Sequence, residues 1–265
     1  MNFQKIVITG GSRGIGRAFV DQFINHASEI HVISRNFHDQ PPNSNLFFHP
    51  LDLSESKKIP AFIDNLVKEY GVPDLLINNA GSGAFYEWSE FPDAEILKQI
   101  NLLFLVPVLF CKKLVPAMAQ EGNGMVVNIS SLATLYPVPN MPLYNASKSA
   151  LSSFTTSMML EYENPKFIDV ILGDVKTEFN EKAKQGDITK YNPKTQNTWR
   201  RVSRQLEDSP SAWDVVGGLT RQIIKRKSRV IYGGGFFHKS IFPVFHRFLS
   251  KSLMIKILQK YYGIR

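Results

Sequence analysis

The chain has 265 residues, 43% apolar and 20% charged, enough to bury a full core and suited to one large α/β domain rather than two separate ones. Its single cysteine, Cys111, excludes an internal disulfide; set in an apolar run, it reads as a buried, inert thiol of a reducing compartment. Net charge is +8, yet no acidic residue follows Asp214 while eleven lysines and arginines do, so the last 51 residues are strongly basic.

The first residues, Met1 to Lys5, lead straight into the apolar run from Ile6 to Thr9, leaving no room for a signal peptide. The expectation is a cytoplasmic protein. Short apolar runs then alternate with helix-length amphipathic stretches, the pattern of parallel strands joined by crossover helices. Strands are predicted from Ile6 to Thr9, Ile30 to Ser34, Leu46 to Pro50, Asp74 to Asn78, Gly124 to Ile129, Ile168 to Leu172 and Arg229 to Tyr232. Between the first two, Ile15, Phe19, Phe23 and Ile24 recur at helical spacing and form one buried face. Further helices are predicted from about Asp93 to Ala119, interrupted near Pro107, and from about Leu143 to Glu163. Seven strands with helices between them make a doubly wound, mostly parallel sheet, the Rossmann fold, in a single domain.

The first strand runs into the first helix through Thr9-Gly10-Gly11-Ser12-Arg13-Gly14-Ile15-Gly16. Glycines there allow a tight turn and close backbone approach, and the helix N-terminus offers unpaired N–H groups to a pyrophosphate. At the end of the second strand, where an acidic residue would select a free ribose 2′-hydroxyl, stands Arg35. A guanidinium there can hold a 2′-phosphate bidentately, and Arg13 can add a second positive charge. These residues favour NADPH over NADH.

Residues 143–150 read Leu-Tyr-Asn-Ala-Ser-Lys-Ser-Ala. On a helix Tyr144 and Lys148 share one face, where the ammonium can lower the phenol's pKa and make it a proton donor and acceptor. Chance alone supplies roughly 0.7 such tyrosine–lysine pairs in a chain of this composition. A second pair, Tyr162 and Lys166, spans Pro165 and so is not expected on one helical face.

Together these residues resemble the classical short-chain dehydrogenase/reductase family over roughly residues 4–235. The resemblance rests on Thr9 to Gly16, on Asn78-Asn79-Ala80-Gly81 after the fourth strand, and on Asn101 in the long helix. Asn128-Ile129-Ser130-Ser131 and the Tyr144–Lys148 segment complete it. It implies a catalytic set of Asn101, Ser131, Tyr144 and Lys148, with Ser131 chosen over Ser130 because it stands thirteen residues before the tyrosine. The capping or loop reading of a serine then suits Ser130 better. In the implied mechanism Ser131 and Tyr144 serve the carbonyl oxygen, while Lys148 binds the nicotinamide ribose and holds the phenol's pKa down. Asn101 would support a water-mediated proton path to Lys148.

The resemblance also implies cofactor contacts. In the loop they come from Gly10, Ser12, Arg13, Gly14, Ile15 and Gly16; further along they come from Arg35, from Asp52 and Leu53 at the adenine, and from Asn78, Ala80 and Gly81. Asp52 by itself reads as a cap. After the sixth strand the family's Pro-Gly is replaced by Leu172-Gly173, followed by Asp174. Gly173, Val175 and Thr177 keep their places for carboxamide contacts, but proline's rigid φ is lost. The implied activity is reduction of a ketone or aldehyde, or the reverse, by a homo-oligomer, a dimer or a tetramer. A catalytically silent nucleotide-binding sensor or scaffold is the alternative.

Two segments stand apart. Residues 177–209 are polar and poor in apolar periodicity, which predicts an insertion or lid beyond a strand's carboxyl end, where ligands bind in such sheets. From Phe236 on, an extension of the domain formed by residues 1–235, Phe245, Phe248, Leu249, Leu253, Ile257 and Tyr261 recur near helical spacing among Lys251, Lys256 and Lys260. Lysines recur too often for a spanning helix. The segment suits either a membrane interface or packing over the cleft or a second subunit. No nucleic-acid module accompanies its charge. The aromatic, apolar tail points to a lipophilic substrate.

Overall fold

The apolar runs form the strands of one sheet in a computed structural model that describes residues 3–38, 45–178 and 184–264. In chain order the first half holds β1 (Phe3–Thr9), α1 (Gly14–Phe23), β2 (Ala27–Ser34), β3 (Leu46–Pro50), α2 (Ile59–Tyr70), β4 (Leu75–Asn78), β5 (Ala84–Phe85), α3 (Asp93–Ile100) and α4 (Val106–Gln120). The second half holds β6 (Met125–Ile129), α5 (Pro142–Glu161), β7 (Lys166–Leu172), β8 (Lys184–Gln185), α6 (Pro193–Glu207), α7 (Ala212–Ile223), β9 (Arg229–Gly233), α8 (Phe242–His246) and α9 (Lys251–Tyr262).

Seven strands pair in the order β3-β2-β1-β4-β6-β7-β9, every pairing parallel. The chain leaves β1 toward β2 and β3, then returns to place β4 on β1's other side, so the order reverses between β1 and β4. Ligands of doubly wound sheets bind outside the carboxyl ends of the strands at that point. Alternation along β1 builds a core on each face. Ile6 and Ile8 pack with Phe19 and Phe23 of α1 and Val216 and Leu219 of α7, whereas Val7 packs on the other face with Ile63 of α2 and Phe110 and Leu114 of α4. Each such fully buried side chain contributes about 1.5–3 kcal/mol of transfer free energy.

The expected break near Pro107 is a widened turn instead. Helix α3 continues through a π-helical turn, Asn101–Leu105, into α4, and the Val106 N–H donates to the Asn101 carbonyl. Pro107 has no N–H for the bond an unbroken α-helix would require, and the wider turn accommodates this while placing Asn101 at the start of the bulge. Among the described residues this Asp93–Gln120 stretch is long and apolar enough to cross a membrane. Here it is a crossover helix, burying Val106, Phe110, Leu114 and Met118 against the sheet.

The polar stretch 177–209 is more structured than its sequence suggests. Within its described part, β8 pairs with β5 and α6 follows, capped by Asn192, whose side chain accepts from the Thr195 N–H. The helix buries Thr195 and Thr198 and packs Trp199 at a tilt against Phe85, ring centroids 4.8 Å apart. Its buried positions are threonines, with Trp199, Val202 and Leu206 half-buried beside them, so few aliphatic residues carry the helical period. Residues 179–183 lie outside the described residues.

Candidate active site

The glycine loop is shaped by close approach. Gly10 (φ +68°) and Gly14 (φ +53°) adopt left-handed conformations, which favour glycine. At Gly16 a Cβ would lie 2.2 Å from the Gly10 carbonyl oxygen and 2.5 Å from Asn79 Nδ2. Asn79 is the loop's brace: its amide donates to the carbonyls of Thr9 and Gly10, both at 3.1 Å, while Thr9 Oγ1 accepts from the N–H groups of Asn79 and Ala80. Arg13 precedes α1 in extended conformation with no side-chain cap, leaving the first-turn amides of Gly14, Ile15 and Gly16 directed at the loop's mouth. Ser12 is half-buried there, and Arg13 is exposed. This uncapped turn on a cradle too tight for side chains fits the pyrophosphate of a dinucleotide.

Arg35 is exposed just beyond β2, across from Asp52 at the end of β3. Burial pushes the Asp52 carboxyl up, but hydrogen bonds from the Ser54 amide and hydroxyl, with the charges of Arg35 and Lys98, outweigh it and hold the group below its usual value. Asp52 thus closes a two-residue turn, and Leu53 beside it is buried.

Ser131, Tyr144 and Lys148 converge where β6 ends. Pro142 opens α5, a position where its missing N–H is harmless, and the next turns carry Tyr144 and Lys148 on one face. Tyr144 is half-buried and hydrogen-bonded to the Ser131 hydroxyl. Lys148 is buried, and its Nζ donates to the Ile129 carbonyl at 2.6 Å. Gly81 lies beneath that ammonium, since a Cβ there would stand 4.0 Å from Nζ and 3.2 Å from Leu103 of the π-helical turn. Asn101, half-buried, begins that same turn.

The electrostatics differ from the expectation that Lys148 lowers the Tyr144 pKa. Burial raises the phenol, the Ser131 hydrogen bond opposes it, and the charge of Asp174 raises it further. Lys148 is itself lowered to about 8 by burial, with Asp169 opposing. Its ammonium donates to a backbone carbonyl, and the hydrogen bond that favours phenol ionisation comes from Ser131. Asp169, a lone acid in apolar β7, is raised by burial and stabilised by Ser130, Ser152 and Lys148. The capping role expected of Ser130 falls to its neighbour instead. Ser130 is the buried partner of Asp169, and Ser131, besides facing Tyr144, caps the short turn Leu132–Thr134 through the Ala133 N–H.

Asn78 is buried and donates to Asn128, which donates to Thr155. It also faces Cys111, whose thiol burial pushes up to about 12, consistent with an inert group. The Tyr162–Lys166 pair does not form a helical face: Tyr162 is extended and Lys166 begins β7.

Beyond β7 the altered segment meets the C-terminal extension. A Cβ on Gly173 would stand 2.5 Å from Cγ of His238, whose Nε2 is 3.5 Å from Asp174 Oδ2. Val175 is buried, and the Thr177 methyl lies beside Gly14, so the segment reaches back to the glycine loop. Burial raises Asp174, and His238 opposes. Asn79, Asp169 and His238 were not singled out from sequence. The acid inside an apolar strand was the one legible signal among them.

A cleft of 510 Å³ lies along the first turn of α5, between Tyr86, Trp88, Pro137 and Val138 on one side and Met254, Ile255 and Leu258 of α9 on the other. Its lining contains none of Ser131, Tyr144 and Lys148; Pro142 and Asn145 border it from the face of α5 that Tyr144 does not share.

The chain is similar to known proteins in the same terms. The short chain dehydrogenase family matches residues 4–187. A 3-ketodihydrosphingosine reductase of Bacteroides thetaiotaomicron is 28% identical over 213 residues, 78% of this chain and 77% of that one. A short chain dehydrogenase/reductase from Burkholderia phymatum, solved in complex with NAD, superposes with a TM-score of 0.76 at 21% identity, covering 87% of this chain and 89% of that one. A short-chain dehydrogenase from Sphingobium yanoikuyae, solved in complex with NADPH, gives a TM-score of 0.70 at 19% identity, covering 86% and 87%. With the family matched across more than half of the sequence, the fold in its strand order and the nucleotide loop in place, this chain belongs to the short-chain dehydrogenase family of NAD(P)-dependent oxidoreductases.

Proposed function

We propose that the protein is an NADPH-dependent oxidoreductase that reduces a lipophilic ketone or aldehyde to an alcohol, or runs the reverse reaction. The observation that carries this reading is the Tyr144–Ser131 hydrogen bond with Lys148 buried one helical turn away. A scaffold that only bound nucleotide would not require that group.

The nicotinamide cofactor, when bound, carries the hydride exchanged with the substrate carbon. Gly10, Ser12, Gly14, Ile15 and Gly16 would hold its pyrophosphate, Arg35 and Arg13 its 2′-phosphate, and Asp52 and Leu53 its adenine. Asn78, Ala80, Gly81, Gly173, Val175 and Thr177 would surround the nicotinamide half. As negative charge develops on the substrate oxygen, the Ser131 hydroxyl donates a hydrogen bond and Tyr144 transfers its proton. Lys148 binds the ribose hydroxyls and, with Asn101, feeds protons back to Tyr144 through water.

Preference for NADPH is supported by the exposed guanidiniums at Arg13 and Arg35 and by the absence of a carboxylate at the end of β2. The lipophilic substrate is supported by the aromatic, apolar segment from Phe236 on and by the relative named for 3-ketodihydrosphingosine. We place the enzyme in the cytoplasm as a homo-oligomer, with peripheral contact to a membrane through the extension 236–265. Exposed Leu97 and Ile100 on α3 and Leu160 on α5 supply apolar surface for subunit contact. NADPH oxidation across a panel of lipophilic and small ketones tests the assignment. Turnover should fall by about 10²–10⁴ in Tyr144→Phe. Full activity in that variant removes the proton donor, and no turnover with any carbonyl removes the reaction.

A further inference from the structure

Among the described residues seventeen large hydrophobic side chains are exposed, and ten of them fall between Phe236 and Tyr261. Phe248 is 82% exposed, Phe236 64% and Phe237 61%. Scattered single residues need no explanation, but such a concentration marks a contact surface. The segment is not a loose tail. Tyr136 Oη donates to the Phe242 carbonyl at 2.8 Å, and its ring packs on Phe242 and His246. His238 sits on Gly173, and Ser250 caps α9 through the Leu253 N–H. Arg201 of α6 donates to the Tyr261 carbonyl, and α9 turns Met254 and Tyr262 inward. The apolar side chains left outside are held there by elements docked on the fold.

Interleaved with them are exposed Lys239, Arg247, Lys251, Lys256 and Lys260, and no acidic residue follows Asp214. That charge decides the partner. A second copy meeting this face through a two-fold axis would set the same five cations against five cations. An anionic bilayer offers headgroups to the lysines and hydrocarbon to the phenylalanines at once.

We propose that the Phe236–Tyr261 segment is a docking surface for an anionic membrane, lying in its interface without spanning it. This deepens, and rests on, the reading of peripheral membrane contact given above. The same helix α9 lines the apolar cleft with Met254, Ile255 and Leu258, and Trp88, 64% exposed, stands at the cleft's other side. Docking therefore brings this cleft to the lipid surface as well.

Co-sedimentation of the full chain with phosphatidylcholine vesicles, with and without phosphatidylserine, tests this. Binding should require phosphatidylserine, weaken with added salt, and fall at least about tenfold in both Phe245→Glu/Phe248→Glu and Lys251→Glu/Lys256→Glu. Equal binding to both vesicle types, or none to either, overturns it. So does a change of oligomeric state in the phenylalanine variant by sedimentation velocity without loss of vesicle binding, which would make the face a subunit contact. The salt dependence is read on the unmodified protein and needs no variant to fold. Binding is scored without turnover, so its failure leaves the reductase assignment standing, and failed turnover leaves the docking surface standing.

Discussion

Asp174 and His238 stand 3.5 Å apart, carboxylate oxygen to Nε2, joining the end of β7 to the C-terminal extension. The carboxylate occupies the position after Gly173, and its charge is one of the influences raising the Tyr144 phenol, after burial. The same carboxylate thus meets the extension through His238 and adds its charge at Tyr144.

Replacing that acid should move the chemistry in a known direction. Asp174→Asn removes a negative charge that disfavours phenolate, so the Tyr144 pKa falls. The ascending limb of the pH profile for alcohol oxidation, which needs ionised Tyr144, should shift to lower pH. An unmoved limb would mean that Asp174 is electrostatically silent at the reacting oxygen.

Lys148 carries a stability signature. Its pKa falls from 10.5 unfolded to about 8 in the folded protein through burial. Between those values the unfolded chain binds the proton and the folded one does not, so this group's contribution to stability rises with pH and is least favourable below about pH 8. Denaturant unfolding from pH 7 to 10 should show wild type gaining on the order of 3 kcal/mol relative to Lys148→Met. Parallel pH dependences in the two proteins would show that Lys148 keeps its ordinary pKa.

The proposed NADPH preference is tested at Arg35, whose charge acts on Asp52 from the end of β2. Arg35→Asp should weaken NADPH binding about 10- to 100-fold relative to NADH, the loss expected of a charge-assisted contact. Fluorescence titration of both nucleotides reads this ratio directly. If it does not change, the 2′-phosphate is held elsewhere.

Much of the site was legible because its parts are local. The glycines at 10, 14 and 16, and Tyr144 with Lys148 one turn apart, depend on spacing within one element, and spacing is written in the sequence. The 193–207 helix was not legible, because its buried face is Thr195 and Thr198 with Trp199 rather than an aliphatic stripe. The serines were legible in part: the spacing to Tyr144 singled out Ser131, but the partner of Ser130, Asp169 of β7, and the capping role of Ser131 were not.

By itself, the sequence determined the strand and helix alternation, the nucleotide loop, the spacing of Tyr144 and Lys148, and a basic, aromatic C-terminus. Those follow from periodicity, glycine placement and charge along the chain. The tertiary structure alone decided that Asn79 braces the loop, that Lys148 donates to Ile129, that Asp174 meets His238 while its charge acts on Tyr144, and which phenylalanines remain outside. Each of these joins residues from different elements, and burial and charge at such a junction are set by packing rather than by order in the chain.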